Sequence, residues 1–156
     1  MAGRLARIGV PDAAADPNAS PRPTRILGAA GAYFACVFGA GFVLGAIRTV
    51  VFVPRLGVRS AELLEMPLMF VVIVFAARIV VRRFALPVDA LVRLGVGLAA
   101  LALVVGAELL LVVAIEGRSI MQYVASRDAV SGPAYLVLLG LFALMPLLLA
   151  RAGARR

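Results

Sequence analysis

Residues 94–115 read LGVGLAALALVVGAELLLVVAI, twenty-two residues that carry a single charge, Glu108. A helix of about 20 apolar residues crosses the hydrocarbon core of a bilayer, and roughly 17–25 are tolerated. Three further apolar runs flank this one, at 26–47, 66–81 and 134–150, and Leu63 and Leu64 lengthen the second at its front. The pattern predicts an all-α chain, an integral membrane four-helix bundle with spans at about 26–47, 63–82, 94–115 and 134–150. The transmembrane domain would occupy 26–150, between a polar tail at 1–25 and a short basic tail at 151–156.

Composition agrees. Hydrophobic residues make up 63% of the chain, mean hydropathy is +1.06, and only 15% of residues are charged, whereas soluble domains carry about a quarter. A soluble fold would have to cover four helices without polar faces, and little chain remains to do so. In the tail, Pro11, Pro17, Pro21 and Pro23 break helices while Asp12, Asp16, Asn18 and Ser20 hold water, so disorder is expected there. That tail is too long and proline-rich for a secretory signal, and the first run reads as an uncleaved span. Histidine is absent and Cys36 is the single cysteine. A disulfide within the chain, a Cys/His metal site and histidine-ligated haem are therefore excluded, and no cofactor is expected. Cys36 reads as a small packing residue.

All sixteen basic residues are arginine. Four spans put the N-tail, the second loop and the C-tail on one side, with eleven arginines, against five on the other side: Arg48, Arg55, Arg59, Arg118 and Arg127. Arginine collects at inner loops, so both termini are expected in the cytoplasm of a bacterium, with the chain in its inner membrane. The arginines belong to loops and not to a basic domain, so nucleic acid is not expected as a partner and the lipid bilayer is. Arg78, Arg82 and Arg83 end the second span on the inner side and are expected to reach lipid headgroups, as is Arg93 before the third.

The first span is rich in small residues. Gly28, Ala32, Ala35 and Gly39 share one helix face, and Gly41 and Gly45 form a small-x-x-x-small step. Such residues let helices approach closely in lipid, either within the bundle or against a second copy. Pro54-Arg-Leu-Gly57 reads as the turn between the first two spans, Pro87 and Asp89 mark the inner loop, and Pro146 interrupts the last span. Tyr123 and Tyr135 sit where interfacial anchors are expected, and 120–124 reads as a short surface helix.

Glu108 demands a partner. It lies about 20 Å into its span and about 10 Å short of the outer end, where an ionised acid costs on the order of 2–3 kcal/mol. It must be protonated or face a cation. Arg48 closes the first span at that depth, on the face of Gly41 and Gly45. Glu62 and Glu65 open the second span three residues apart, ahead of Pro67, at a helix start that favours negative charge. A buried polar cluster of Arg48, Glu65 and Glu108 is expected, with Glu62 nearer water.

Residues 41–48 (GFVLGAIR), 53–57 (VPRLG) and 61–69 (AELLEMPLM) resemble a set of small bacterial multipass inner-membrane proteins of uncharacterised activity. The resemblance covers the first two spans and implies a compact multipass protein without catalytic or cofactor residues. The size is similar to that of small multidrug-resistance transporters, but their first span carries a glutamate and this one has none. Catalytic motifs are lacking, so an enzyme is not expected. Two readings stay open. One is a structural or accessory membrane subunit that packs on a membrane-protein partner or forms a homo-oligomer. The other is a small proton- or solute-coupled transporter using the Arg/Glu cluster.

Overall fold

The computed structural model describes residues 23–114, 117, 119–125 and 128–153, and among them all regular structure is helical. Helix α1 spans Pro23–Ile47 and continues through a π-helical turn, Arg48–Phe52, into α2, Val53–Arg83. Helices α3 (Ala90–Ala114), α4 (Ile120–Ala125) and α5 (Ser131–Gly153) follow. Three helical stretches are long and apolar enough to cross a membrane: Pro23–Arg83, Ala90–Ala114 and Ser131–Ala150. The helices begin earlier than the apolar runs, because Pro23–Arg25, Val58–Glu62 and Ala90–Arg93 wind into the same hydrogen-bond ladders. The tail at 1–22 and residues 154–156 lie outside the described residues.

The first stretch folds back on itself at Gly57. Its φ of 75° and ψ of 166° belong to a region open essentially to glycine alone. A turn was expected over Pro54–Gly57, but Pro54–Leu56 are helical and the break falls on Gly57 alone. Pro54 has no N–H to offer the carbonyl four residues back. The turn before it is correspondingly wide, closed by the Val53 N–H on the Arg48 carbonyl. After the reversal, Gly41 faces the Met69 methyl and Gly28 faces the Phe84 ring. Pro67 was expected in a first helical turn but lies inside α2, since the helix resumes directly after Gly57.

Several helix ends are closed by identifiable groups. Past α2, Ala85 takes a left-handed φ of 43°, and Leu86 and Ala85 donate to the Val81 and Arg82 carbonyls, a Schellman closure. Arg25 donates to the exposed Phe84 and Ala85 carbonyls at 2.6 and 2.7 Å. Arg93 donates to the Pro87 and Leu86 carbonyls at 2.8 and 3.3 Å. Arg93 was expected to reach headgroups. It is instead buried, because the loop between α2 and α3 turns the Leu86 and Pro87 carbonyls inward and needs donors there. Arg78, Arg82 and Arg83 are exposed. Asp89 caps α3 through the Leu91 and Val92 N–H groups, and Ser119 and Gln122 cap α4 reciprocally.

In packing, α1 lies against α2 and α3, and α5 lies against the same two. The shared core holds Ala29, Ala30, Tyr33 and Val37 of α1 with Ile73, Ala76 and Ala77 of α2. Val96, Ala100 and Val104 of α3 and Phe142 and Met145 of α5 complete it. The small-residue face expected on α1 is only partly the packing face. Gly28, Gly41 and Ala32 do face neighbours, but Ala35 and Gly39 are exposed, and an added Cβ at Gly39 meets nothing within 4 Å. Tyr33 and Val37 occupy the buried side instead, turning Ala35 and Gly39 away. Cys36 is exposed and not a core residue, for the same reason.

The tightest helix contact is at Gly97, where a Cβ would stand 1.8 Å from the Ala143 carbonyl oxygen. Only hydrogen fits there. Three residues on, Pro146 leaves the Phe142 carbonyl without its usual helical donor. The buried Tyr33 hydroxyl supplies one at 3.0 Å, and its ring stacks on Phe142 with centroids 4.4 Å apart. The outward faces are apolar: Val43, Phe75, Ile79, Leu110, Leu136 and Val137 are all exposed.

Candidate functional site

Four of the residues singled out by charge line one cavity of about 340 Å³. The reversal at Gly57 brings Arg48, at the end of α1, back against Glu62 and Glu65 of α2. Arg48 Nη1 lies 3.6 Å from Glu62 Oε1, and its Nε lies 3.3 Å from Glu65 Oε2. The three side chains are 31%, 20% and 15% exposed, which leaves Glu62 slightly nearer solvent than Glu65. The second pair is within ionic range but off the line of a hydrogen bond. Glu65 Oε2 is thus fully buried with no hydrogen-bond donor.

Helix α5 adds two hydroxyls one turn apart. Ser131 Oγ donates to Glu62 Oε2, and Tyr135 Oη donates to Glu108 Oε1. Glu108 was expected to meet Arg48. The two line the same cavity, but no ion pair joins them among the described residues. Arg48 is drawn towards its own hairpin, where two carboxylates are nearer, and α5 packs on α3 closely enough for Tyr135 to reach Glu108. Tyr135 thus turns towards α3 within the bundle. Tyr123 of α4 also lines the cavity. Gly41 and Gly45 lie along its α1 side, and the space at Gly45 is open, with nothing within 4 Å of an added Cβ. Phe38, Phe42, Met66, Met69, Leu111 and Phe142 form much of the apolar remainder.

An ion pair stands outside this cavity. Arg59 Nε and Nη2 grip Asp128 at 2.8–3.0 Å. Asp128 Oδ1 also accepts the Val130 and Ser131 N–H groups at 2.9 and 3.1 Å, capping α5. The Arg59 hydrogen bond, then those backbone donors, hold the Asp128 carboxyl well below the usual carboxylate range. The same cap fixes where α5 begins, and hence where Ser131 and Tyr135 point. Sequence reasoning missed Ser131 and Tyr135 as partners. Their four-residue spacing at the start of the last run was the available signal.

Arg118 and Arg127, counted with the outer loops, lie outside the described residues. Among the described residues no three His, Cys, Asp or Glu side chains converge so as to hold a metal ion. The arrangement presents three carboxylates, one guanidinium and three hydroxyl-bearing side chains at a cavity with a largely apolar wall. It can bind a charged or polar group while covering an apolar body. No protein-family model, no curated protein and no solved structure matches this chain.

Proposed function

We propose that the chain is an integral membrane protein of the bacterial inner membrane, a four-span helical bundle with both termini cytoplasmic. In this reading its outer half binds a small solute and moves it in exchange for, or together with, protons. The observation that carries the reading is the cavity where Arg48, Glu62, Glu65 and Glu108 meet. Ionisable side chains inside a spanning bundle are costly and characteristically mark substrate or proton paths. A lock between helices needs no cavity, and cavities near this size are typical of small-molecule sites.

Lipid as the surrounding solvent is supported by the exposed surface. Only 22%, 28% and 33% of the most apolar windows in the three long stretches is buried. Monomers in water rarely expose contiguous apolar area on that scale. The arginine bias supports the orientation.

The accessory-subunit reading has one observation of its own. Arg48 with Glu62 and Glu65 ties α1 to α2, Ser131 ties α5 to α2, and Tyr135 ties α5 to α3. These are the bonds a purely structural cluster would make. Reconstituted liposomes separate the two. Transport predicts flux of some solute in a broad panel under an imposed pH gradient, abolished by Glu108→Gln in a folded protein. If nothing moves and the chain co-purifies with a membrane-protein companion in mild detergent, the accessory role replaces it.

A further inference from the structure

The ligand class follows from an inventory of donors and acceptors in the cavity, and the inference rests on that cavity being a binding site. Three of its donor groups, on Arg48, Ser131 and Tyr135, are already directed at its own acids. The Arg48 guanidinium is faced by Glu62 and Glu65, Ser131 Oγ donates to Glu62, and Tyr135 Oη donates to Glu108. Acceptors are in surplus. Three carboxylates stand against one guanidinium, and Glu65 Oε2 is fully buried yet takes no hydrogen bond. An anion entering here would meet like charge. A cation would find carboxylates in excess of positive charge.

The wall then narrows the kind of cation. Phe38, Phe42, Phe142, Tyr123 and Tyr135 line the cavity, and aromatic faces attract desolvated cations. Met66 and Met69 add soft, adaptable surface. An inorganic ion is poorly served, because the acids do not converge as a metal-binding group would and the remaining wall offers mostly carbon.

We propose that the cavity takes an organic monocation with an apolar body, a quaternary ammonium or protonated amine. Its charge sits in the part of the cavity lined by the acids, and its body lies along α1 and α2 towards Met69 and Phe142.

The test is calorimetric binding to the purified full-length chain in detergent micelles, with three probes of matched shape. They are benzyltrimethylammonium, the neutral 2-methyl-1-phenyl-2-propanol and the anion 2,2-dimethyl-3-phenylpropanoate. The cation is expected to bind at least about tenfold more tightly than the alcohol, the scale of a desolvated cation–aromatic contact. The anion is expected to bind more weakly than either. Glu65→Gln should reduce the preference for the cation over the alcohol. Glu108→Gln, which keeps an acceptor for Tyr135, should do the same where the first variant folds poorly. Gly45→Leu fills open space in the cavity and should abolish binding of every probe. If the alcohol or the anion binds as tightly as the cation, the cation class is overturned while the cavity stands as a site. If no probe binds, or Gly45→Leu leaves binding intact, the cavity is not the site and the proposal falls with it.

Discussion

Gly97→Ala tests the packing that positions α5, and its effect can be worked from one distance. The added Cβ would sit 1.8 Å from the Ala143 carbonyl oxygen, where ordinary contact begins at 3.4 Å, so α3 and α5 must part by about 1.6 Å. The obstacle is backbone, so no rotamer change relieves it. Parting the helices opens the core shared by Val96, Ala100, Val104, Phe142 and Met145. A gap of about 0.5–1 Å already forfeits a quarter to a half of each dispersion contact. Overpacking of this kind costs about 1–3 kcal/mol. A backbone clash belongs at the top of that range, near a hundredfold in the folding equilibrium, or roughly 3 kcal/mol. Gly95 and Gly106 lie in the same helix with nothing within 4 Å of an added Cβ. Alanine at either should be neutral or stabilise by up to about 1 kcal/mol, through helix propensity alone. The assay is SDS titration of the detergent-solubilised protein, followed by circular dichroism. Equal unfolding midpoints for Gly97→Ala and Gly95→Ala would refute the close α3–α5 approach.

Two further outcomes follow from hydrogen bonds. Tyr33→Phe keeps the ring on Phe142 but removes the donor from a buried carbonyl, and should destabilise by about 1–3 kcal/mol. In a Pro146→Ala background the new N–H at 146 takes over that carbonyl, so the same substitution should cost about 1 kcal/mol less; purely additive effects in the double-mutant cycle would show that the two groups do not share it. Asp128 is held below its unfolded value of about 3.9 by Arg59 and two backbone donors. A lowered folded value means a contribution that is complete above about pH 4 and lost as pH falls further. The thermal midpoint should therefore drop as the solution is acidified below about pH 4, and Asp128→Asn, which retains a capping oxygen, should flatten that acid limb. An unchanged acid limb in the variant would remove Asp128 from the account.

The sequence alone was enough to read helical character, the number of apolar runs and the residues whose charge needed explaining. These properties depend on local composition. An apolar run of about 20 residues has no alternative to a helix once water is excluded, because its backbone must bond within itself. An acid such as Glu108 inside such a run is conspicuous whatever surrounds it. The residues Arg48, Glu62, Glu65 and Glu108 could be named for the same reason, and they do line one cavity.

Tertiary structure decided who bonds to whom. Glu108 takes a hydroxyl from Tyr135 and not the Arg48 guanidinium, because helix adjacency is set by packing between segments far apart in the chain. Arg93 turned inward because the Leu86 and Pro87 carbonyls point there, which depends on the left-handed Ala85. Gly97 became the closest contact and Gly39 an exposed one, although both are glycines in apolar helices. Composition states that a small residue permits close approach; only the azimuth of each helix, fixed by all its neighbours together, determines which glycine is used.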